Sequence, residues 1–151
     1  MSDILTRLSV EGVIYFRTSF SAPFGVRVPE FRDVVRFHFA HRGGCDVVVE
    51  GRAEPVRLAE GDLLIVPHGA RHALLSPETP ADAALDLDRV VEEAGFAGQG
   101  VLVHGGGAAA EIEGGTELIC GHFSFAPGGR HVVLERLPPA LHIPGYDQAV
   151  G

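Results

Sequence analysis

Short apolar runs separated by glycine and proline make up most of the chain and predict many short β-strands. Apolar and polar residues alternate over residues 13–20, as they do in a half-buried strand. The same reasoning predicts strands over residues 24–28, 33–41, 45–50, 55–59, 62–66, 72–75, 101–104, 111–113 and 116–125. Many short strands with glycine and proline turns are typical of a sandwich or barrel, so the pattern predicts an all-β fold.

Three segments have a helical pattern instead. Ser2 can cap a brief N-terminal helix, and residues 86–94 place their apolar side chains on one face before Gly95. Residues 131–137 form the third segment, which two prolines end. The sequence therefore predicts a small β-barrel with short flanking helices.

Residues 61–72, GDLLIVPHGARH, form the most informative segment of the chain. Gly61 permits a turn, a buried apolar strand follows, and Pro67 with Gly69 makes a second tight turn. His72 then opens the next strand, where its imidazole can point into a barrel. This spacing resembles the second cupin motif, and the resemblance implies that His72 is a metal ligand.

Length, charge and composition narrow the class of protein. The 151 residues, 46% hydrophobic and 21% charged, predict one globular domain over residues 1–151. The net charge of −8 argues against nucleic-acid binding by this chain itself, because phosphate contacts require a basic face. We expect no membrane span, since no apolar run approaches ~20 residues. Two cysteines and no signal-peptide pattern favour the cytoplasm.

The whole chain resembles the cupin-like N-terminal effector domain of AraC-type transcriptional regulators. The matching segments are GVIYF at 12–16, SAPFG at 21–25, FHF at 37–39, LAEGDLLIVP at 58–67, CGHF at 120–123 and LPPALH at 137–142. The resemblance implies a domain that senses a small molecule and forms a homodimer. It also implies that DNA is bound only through a C-terminal pair of helix-turn-helix units, which this chain does not contain.

The first motif of enzymatic cupins is altered. Its glutamate position, counted back from Gly43, is Arg36, and no histidine occurs at residues 29–32. Three of the four usual metal ligands are therefore missing. His38, two residues after Arg36, lies on the same strand face and can also point into the barrel.

Four residues form a candidate metal site: His38, His72, Cys120 and His122. Cys120 and His122 are two apart on one predicted strand, so they share a face. Imidazole and thiolate ligands favour zinc, although another transition metal is an alternative. Each residue also has a structural interpretation, with the histidines as buried hydrogen-bonded groups and Cys120 as a small core residue.

The leading hypothesis for function is a non-catalytic sensory and dimerisation domain of an AraC-like regulator, holding a small effector or a metal ion. The alternative is a metal-dependent cupin oxygenase or isomerase that uses His38, His72 and His122 with one open coordination position. A third possibility is a stand-alone cupin that serves only assembly.

Overall fold

Strands account for most of the residues that the computed structural model describes, which are 10–31, 34–105, 115–125 and 136–145. The strands are β1 (Val10–Ser21), β2 (Gly25–Val28), β3 (Val34–Arg42), β4 (Cys45–Val49), β5 (Val56–Leu58), β6 (Leu63–Val66), β7 (His72–Leu75), β8 (Leu85–Asp86), β9 (Val101–Gly105), β10 (Thr116–Phe125) and β11 (Leu141–Ile143). The described residues also contain one 3₁₀ turn (Ala81–Ala83) and one helix, α1 (Leu87–Ala94).

The strands form two sheets. One has six strands in the order β11-β6-β3-β10-β1-β9, and the other has five in the order β5-β4-β7-β2-β8. The neighbours β1/β9 and β2/β8 are parallel, and all other neighbours are antiparallel.

One hydrophobic core lies between the two sheets. Phe20, Leu64 and Leu118 from the six-stranded sheet are almost fully buried in the same cluster as Val47 and Leu74 from the five-stranded sheet. Because inward and outward positions alternate along each strand, the inner faces fill the space between the sheets. The predicted all-β class, a small barrel-like cupin fold, is confirmed.

The strand predictions match closely, and the central helix is confirmed. Helix α1 begins after Asp86 and ends at Gly95, whose φ of 66° is left-handed. Its apolar face packs on the core, with Val90 fully buried. Strand β8 and strand β11 were not predicted, since runs of two and three residues give too little periodicity.

Some predictions fall outside the described residues. These are the strand over 111–113, the helix after Ser2 and most of the helix over 131–137. The single domain over residues 1–151 also stays a prediction. Within the described ranges, no helix is long and apolar enough to cross a membrane.

Candidate functional site

Strand register brings together side chains from three separated parts of the chain. On the inner face of the six-stranded sheet, Cys120 of β10 lies opposite His38 of β3. His72 comes from β7 in the other sheet, directly after the turn at Gly69. All three side chains are buried, with exposed fractions of 2 to 4%. The predicted convergence of these three residues between the sheets is what the structure contains.

The three side chains form one hydrogen-bonded chain. His38 Nδ1 lies 2.9 Å from Cys120 Sγ, and His38 Nε2 lies 2.8 Å from His72 Nε2. His72 Nδ1 lies 2.9 Å from the carbonyl oxygen of Ala70. Each contact joins groups that can act as donor and acceptor, so the chain runs unbroken from the thiol to the backbone.

Proton positions in this chain follow from its last member. A carbonyl can only accept, so His72 Nδ1–H donates to Ala70 and the neutral ring accepts at Nε2. His38 Nε2–H must then donate to His72, which leaves His38 Nδ1 as an acceptor. Cys120 Sγ–H donates to that nitrogen. Every hydrogen bond from Cys120 to the Ala70 carbonyl therefore has one donor and one acceptor when both imidazoles and the thiol are neutral.

Burial favours these neutral forms. Loss of solvation lowers the pKa of His72 to about 4 and lowers the pKa of His38 well below its ordinary value. The charge on Arg36 acts in the same direction on both rings. Burial also raises the pKa of the Cys120 thiol, so this cysteine is protonated at neutral pH.

These shifts predict acid sensitivity of the fold. Between the ordinary histidine pKa of 6.5 and about 4, the unfolded chain binds a proton at His72 that the folded chain does not, so stability falls as pH falls. The loss from His72 alone is about 3 kcal/mol over that range. Urea unfolding followed by circular dichroism at several pH values measures it.

The matched comparison for acid sensitivity is His72→Gln against His41→Gln. His41 is exposed on β3, so His41→Gln is the control for the dependence of unfolding free energy on pH. His72→Gln makes that dependence shallower. Equal slopes in the wild type and in His72→Gln contradict the assignment of the acid sensitivity to this ring.

The arrangement differs from a metal centre with converging ligands. The two nitrogens of the His38 ring point away from each other, one toward Cys120 and one toward His72. His122, the fourth predicted ligand, is half-buried and lies opposite Arg36, two residues further along β10. Within the described ranges, no three His, Cys, Asp or Glu side chains are placed to hold a metal ion. Zinc, or another metal, at the four predicted residues stays a prediction.

Arg36 is the charged group of this interior. It stands where enzymatic cupins carry glutamate, and burial lowers its pKa without removing its charge. Its Nε atom is buried and has no hydrogen-bond partner among the residues that the structure describes. Its guanidinium carbon lies 5.8 Å from the centre of the Phe31 ring, which gives a cation–π contact on one side.

A small cavity lies beside Arg36. Its volume is about 20 Å³, which holds about one water molecule. Thr18 also lines it, and the Thr18 hydroxyl is buried without a well-aligned hydrogen bond, although it approaches Cys120 and lowers that thiol's pKa. The remaining lining residues are Phe16, Phe20, Val28, His38, Leu87, Cys120 and Gly121. The cavity thus combines one cation, the Thr18 hydroxyl and largely apolar walls.

Asp62 attaches the C-terminal tail to the cupin motif, a role that sequence reasoning did not assign to it. Asp62 accepts hydrogen bonds from the backbone N–H of Ala59 and Gly145, both at 2.9 Å, and from His142 Nε2 at 2.8 Å. Strand β11, which contains His142, pairs with β6. The position of Asp62 directly after Gly61, the first glycine of the motif, was the sequence signal that could have identified it.

Two facing sheets with an inward histidine, His72, at the second-motif position define a cupin-type barrel, a class that binds small molecules or metals in its interior. A family model described as Cupin matches residues 1–151. The chain belongs to the cupin family.

Its curated relatives include transcription regulators, as the resemblance implied. An AraC-like transcription regulator of Streptomyces lividans is 33% identical over 146 residues, which cover 95% of this chain and 43% of that protein. One of Streptomyces antibioticus is 33% identical over 113 residues, covering 74% of this chain and 33% of that protein. The chain therefore spans less than half the length of these relatives.

A solved structure gives a weaker likeness. Unsaturated fatty acid bound ToxT from Vibrio cholerae matches with a TM-score of 0.47 and 6% identity, covering 93% of this chain and 43% of that chain. Similarity at this level carries no argument about the chain.

Proposed function

We propose that this chain is the effector-sensing domain of an AraC-like transcription regulator, with a small molecule bound between its sheets. The observation that carries the proposal is the 33% identity over 95% of the chain to such a regulator. A barrel interior with a cation that has no carboxylate partner among the described residues, a buried hydroxyl and largely apolar walls suits a ligand that is partly polar. The domain is non-catalytic in this proposal.

DNA contact belongs to another part of such a regulator. The chain has a net charge of −8, whereas a DNA-binding surface needs clustered lysine and arginine. A sensing domain changes DNA affinity only when its ligand prefers one of two conformations. We place the protein in the cytoplasm, where its target DNA would be.

The regulator is a homodimer in this proposal. Within the described residues, β9 is an edge strand of the six-stranded sheet, and its Val101 and Val103 are 42% and 58% exposed. Tyr15, on the neighbouring strand β1, is 65% exposed. An apolar strip at a sheet edge favours pairing with a second copy. Light scattering of the purified chain tests it, with an expected mass of twice 16.0 kDa.

A ligand screen tests the sensing function. The purified chain is heated with single sugars, amino acids, short carboxylates and their neutral amides, and the melting temperature is recorded. A ligand at a hundredfold excess over its Kd stabilises by about 2.7 kcal/mol, which raises the melting temperature of a chain of this size by about 5 to 10 °C. We expect at least one such rise.

The control for the screen is Thr18→Leu, which fills the small cavity without changing the charge. A rise that this variant abolishes, while its circular dichroism spectrum is unchanged, supports binding between the sheets. If no compound raises the melting temperature of the wild type, the sensing proposal is wrong.

The enzyme alternative is not favoured by any specific observation. It needs His38, His72 and His122 at one coordination point, and the first two are joined in a hydrogen-bonded chain from which His122 lies apart. Metal analysis of the purified protein, with His72→Ala and Cys120→Ala compared, tests the predicted metal site. Stoichiometric metal that both variants lose would support it.

A further inference from the structure

We propose that the effector is a small carboxylate whose charged group binds Arg36 and whose apolar body lies against Leu87 of helix α1. This rests on the proposed sensing function and names the ligand class.

Arg36 carries a positive charge for which the described residues supply no carboxylate. The ion pairs of those residues join other arginines, namely Arg27, Arg42, Arg57 and Arg89, to acids. In a chain with eight more acidic than basic residues, a half-buried guanidinium without an acidic partner is unusual. Removing the charge of a guanidinium from water costs free energy when it has no partner. A bound anion offsets this cost through its attraction to the guanidinium.

Hydrogen bonding points to the same occupant. The Nε–H of Arg36 is buried and finds no acceptor in the described part of the chain, so this edge of the guanidinium is available to a ligand. A carboxylate accepts two parallel N–H groups from such an edge. One guanidinium balances one negative charge, which favours a carboxylate over a doubly charged phosphate. The buried Thr18 hydroxyl, which approaches Cys120 without a well-aligned hydrogen bond, can donate to the same group instead.

The remaining walls indicate an apolar body. Phe16, Val28 and Leu87 line the cavity beside Arg36. At about 20 Å³ the cavity holds one water and not an organic molecule, so a ligand must move one wall. Most of the candidate walls are strand residues, whereas Leu87 lies in the first turn of α1 and is only half-buried.

Leu87 also separates the cavity from the outside. It lines both the small cavity and a surface groove of about 790 Å³ that runs along α1. A ligand that displaces Leu87 therefore enlarges the cavity into this groove and shifts the first turn of the helix. Ligand binding in the barrel would then change the position of α1 at the surface. The protein would have two conformations, one of which the ligand prefers, as a sensor requires.

The test compares carboxylates with their amides on the wild-type chain. The probes are butyrate, hexanoate and benzoate, each against butyramide, hexanamide and benzamide, and affinity is measured by isothermal titration calorimetry. We expect at least one carboxylate to bind about tenfold or more tightly than its amide, as a charge-assisted hydrogen bond provides. This comparison needs no variant, so it does not depend on the folding of one.

Variants then assign the binding to Arg36. Arg36→Gln should lower the affinity for the bound carboxylate about tenfold or more, and Arg36→Lys should lower it less. The control is Arg17→Gln, which removes the same charge from an exposed position on β1. It should leave affinity unchanged. Equal carboxylate binding by the wild type and a folded Arg36→Gln overturns the proposal.

The outcomes separate this proposal from the sensing function. If a sugar or an amide raises the melting temperature and none of the three carboxylates binds, the carboxylate proposal is wrong and the sensing function stands. If an amide binds as tightly as its carboxylate, Arg36 does not select the ligand and the proposal is again wrong. If no compound of any class binds, both are wrong.

Discussion

Replacing Gly69 by alanine destabilises the chain by about 4 kcal/mol or more, the largest effect that we expect from a single methyl group. Gly69 has a φ of 61°, and an added Cβ would overlap the carbonyl oxygen of Phe31. It would also lie 2.7 Å from the Phe31 carbonyl carbon and 3.0 Å from the oxygen of Val34. These neighbours are backbone atoms, so the turn itself must move.

The cost extends beyond the clash, because the turn positions the site. The N–H of Phe31 donates to the carbonyl oxygen of Gly69 at 2.8 Å, and His72 follows the turn by three residues. A shift of this turn therefore removes His72 from His38. With a total stability of about 5 to 15 kcal/mol, a loss of this size leaves the variant close to unfolding.

A matched control separates the clash from the strain of a left-handed residue. Gly95, with a φ of 66° at the end of α1, has no atom within 4 Å of an added Cβ. Gly95→Ala has only the conformational cost of about 1 to 2 kcal/mol. Urea unfolding of the two variants, followed by circular dichroism, gives the comparison. Similar losses of unfolding free energy in both variants would mean that the backbone at Phe31 moves away from the added methyl group. The close contact would then not constrain the turn.

Gly69 also illustrates what the sequence could predict. The proline–glycine turn and the strand after it follow from local backbone preferences, which is why β7 was predicted at His72–Leu75, the bounds that the structure has. The approach of Phe31 to this turn joins residues 38 positions apart, and no local pattern contains it. The turn was therefore predictable, and its intolerance of a side chain was not.

The candidate site was likewise predictable only in part. Strand alternation predicted that His38, His72 and Cys120 face inward, and they do. The hydrogen bonds between them depend on strand register, which alternation leaves open by two-residue steps. Arg36 was recognised only as the residue at the glutamate position. Its free Nε became visible only with the burial of that atom.

The tail carried less sequence signal than the site. Its LPPALH segment entered only as part of the family resemblance, and β11 is too short for a periodic signal. The structure places His142 2.8 Å from Asp62, and the backbone N–H of Gly145 completes the contact. Asp62 itself is 4% exposed. A buried carboxylate with this set of donors holds the tail on strand β6.

Asp62→Ala is accordingly the second large effect, with an expected loss of about 4 kcal/mol at neutral pH. The change leaves the half-buried N–H groups of Ala59 and Gly145 without this acceptor and removes the partner of His142. Hydrogen bonds to a charged group contribute about 1.5 to 3 kcal/mol each, and partial rehydration of the tail recovers some of the sum. The control Asp46→Ala removes a surface ion pair with Arg57, for which we expect under about 1 kcal/mol.

The pH dependence identifies the carboxylate as the source. Burial alone would raise the pKa of Asp62, but the hydrogen bonds from His142, Ala59 and Gly145 outweigh it, and the pKa lies below the ordinary 3.8. A carboxylate with a depressed pKa stabilises the fold above its unfolded pKa, and this is lost as pH falls through the folded pKa. The difference in unfolding free energy between wild type and Asp62→Asn should therefore narrow below pH 3.8.

Amide hydrogen exchange distinguishes a local defect from release of the tail. If Asp62 anchors β11, Asp62→Ala accelerates exchange at Leu141–Ile143 beyond the change expected from global stability, because that strand opens by itself. Exchange in β10 should then change only with global unfolding. His142→Ala, which leaves both backbone donors paired with Asp62, should accelerate exchange in β11 less. If all strands respond alike to Asp62→Ala, the carboxylate supports the whole fold, and the tail has no separate attachment.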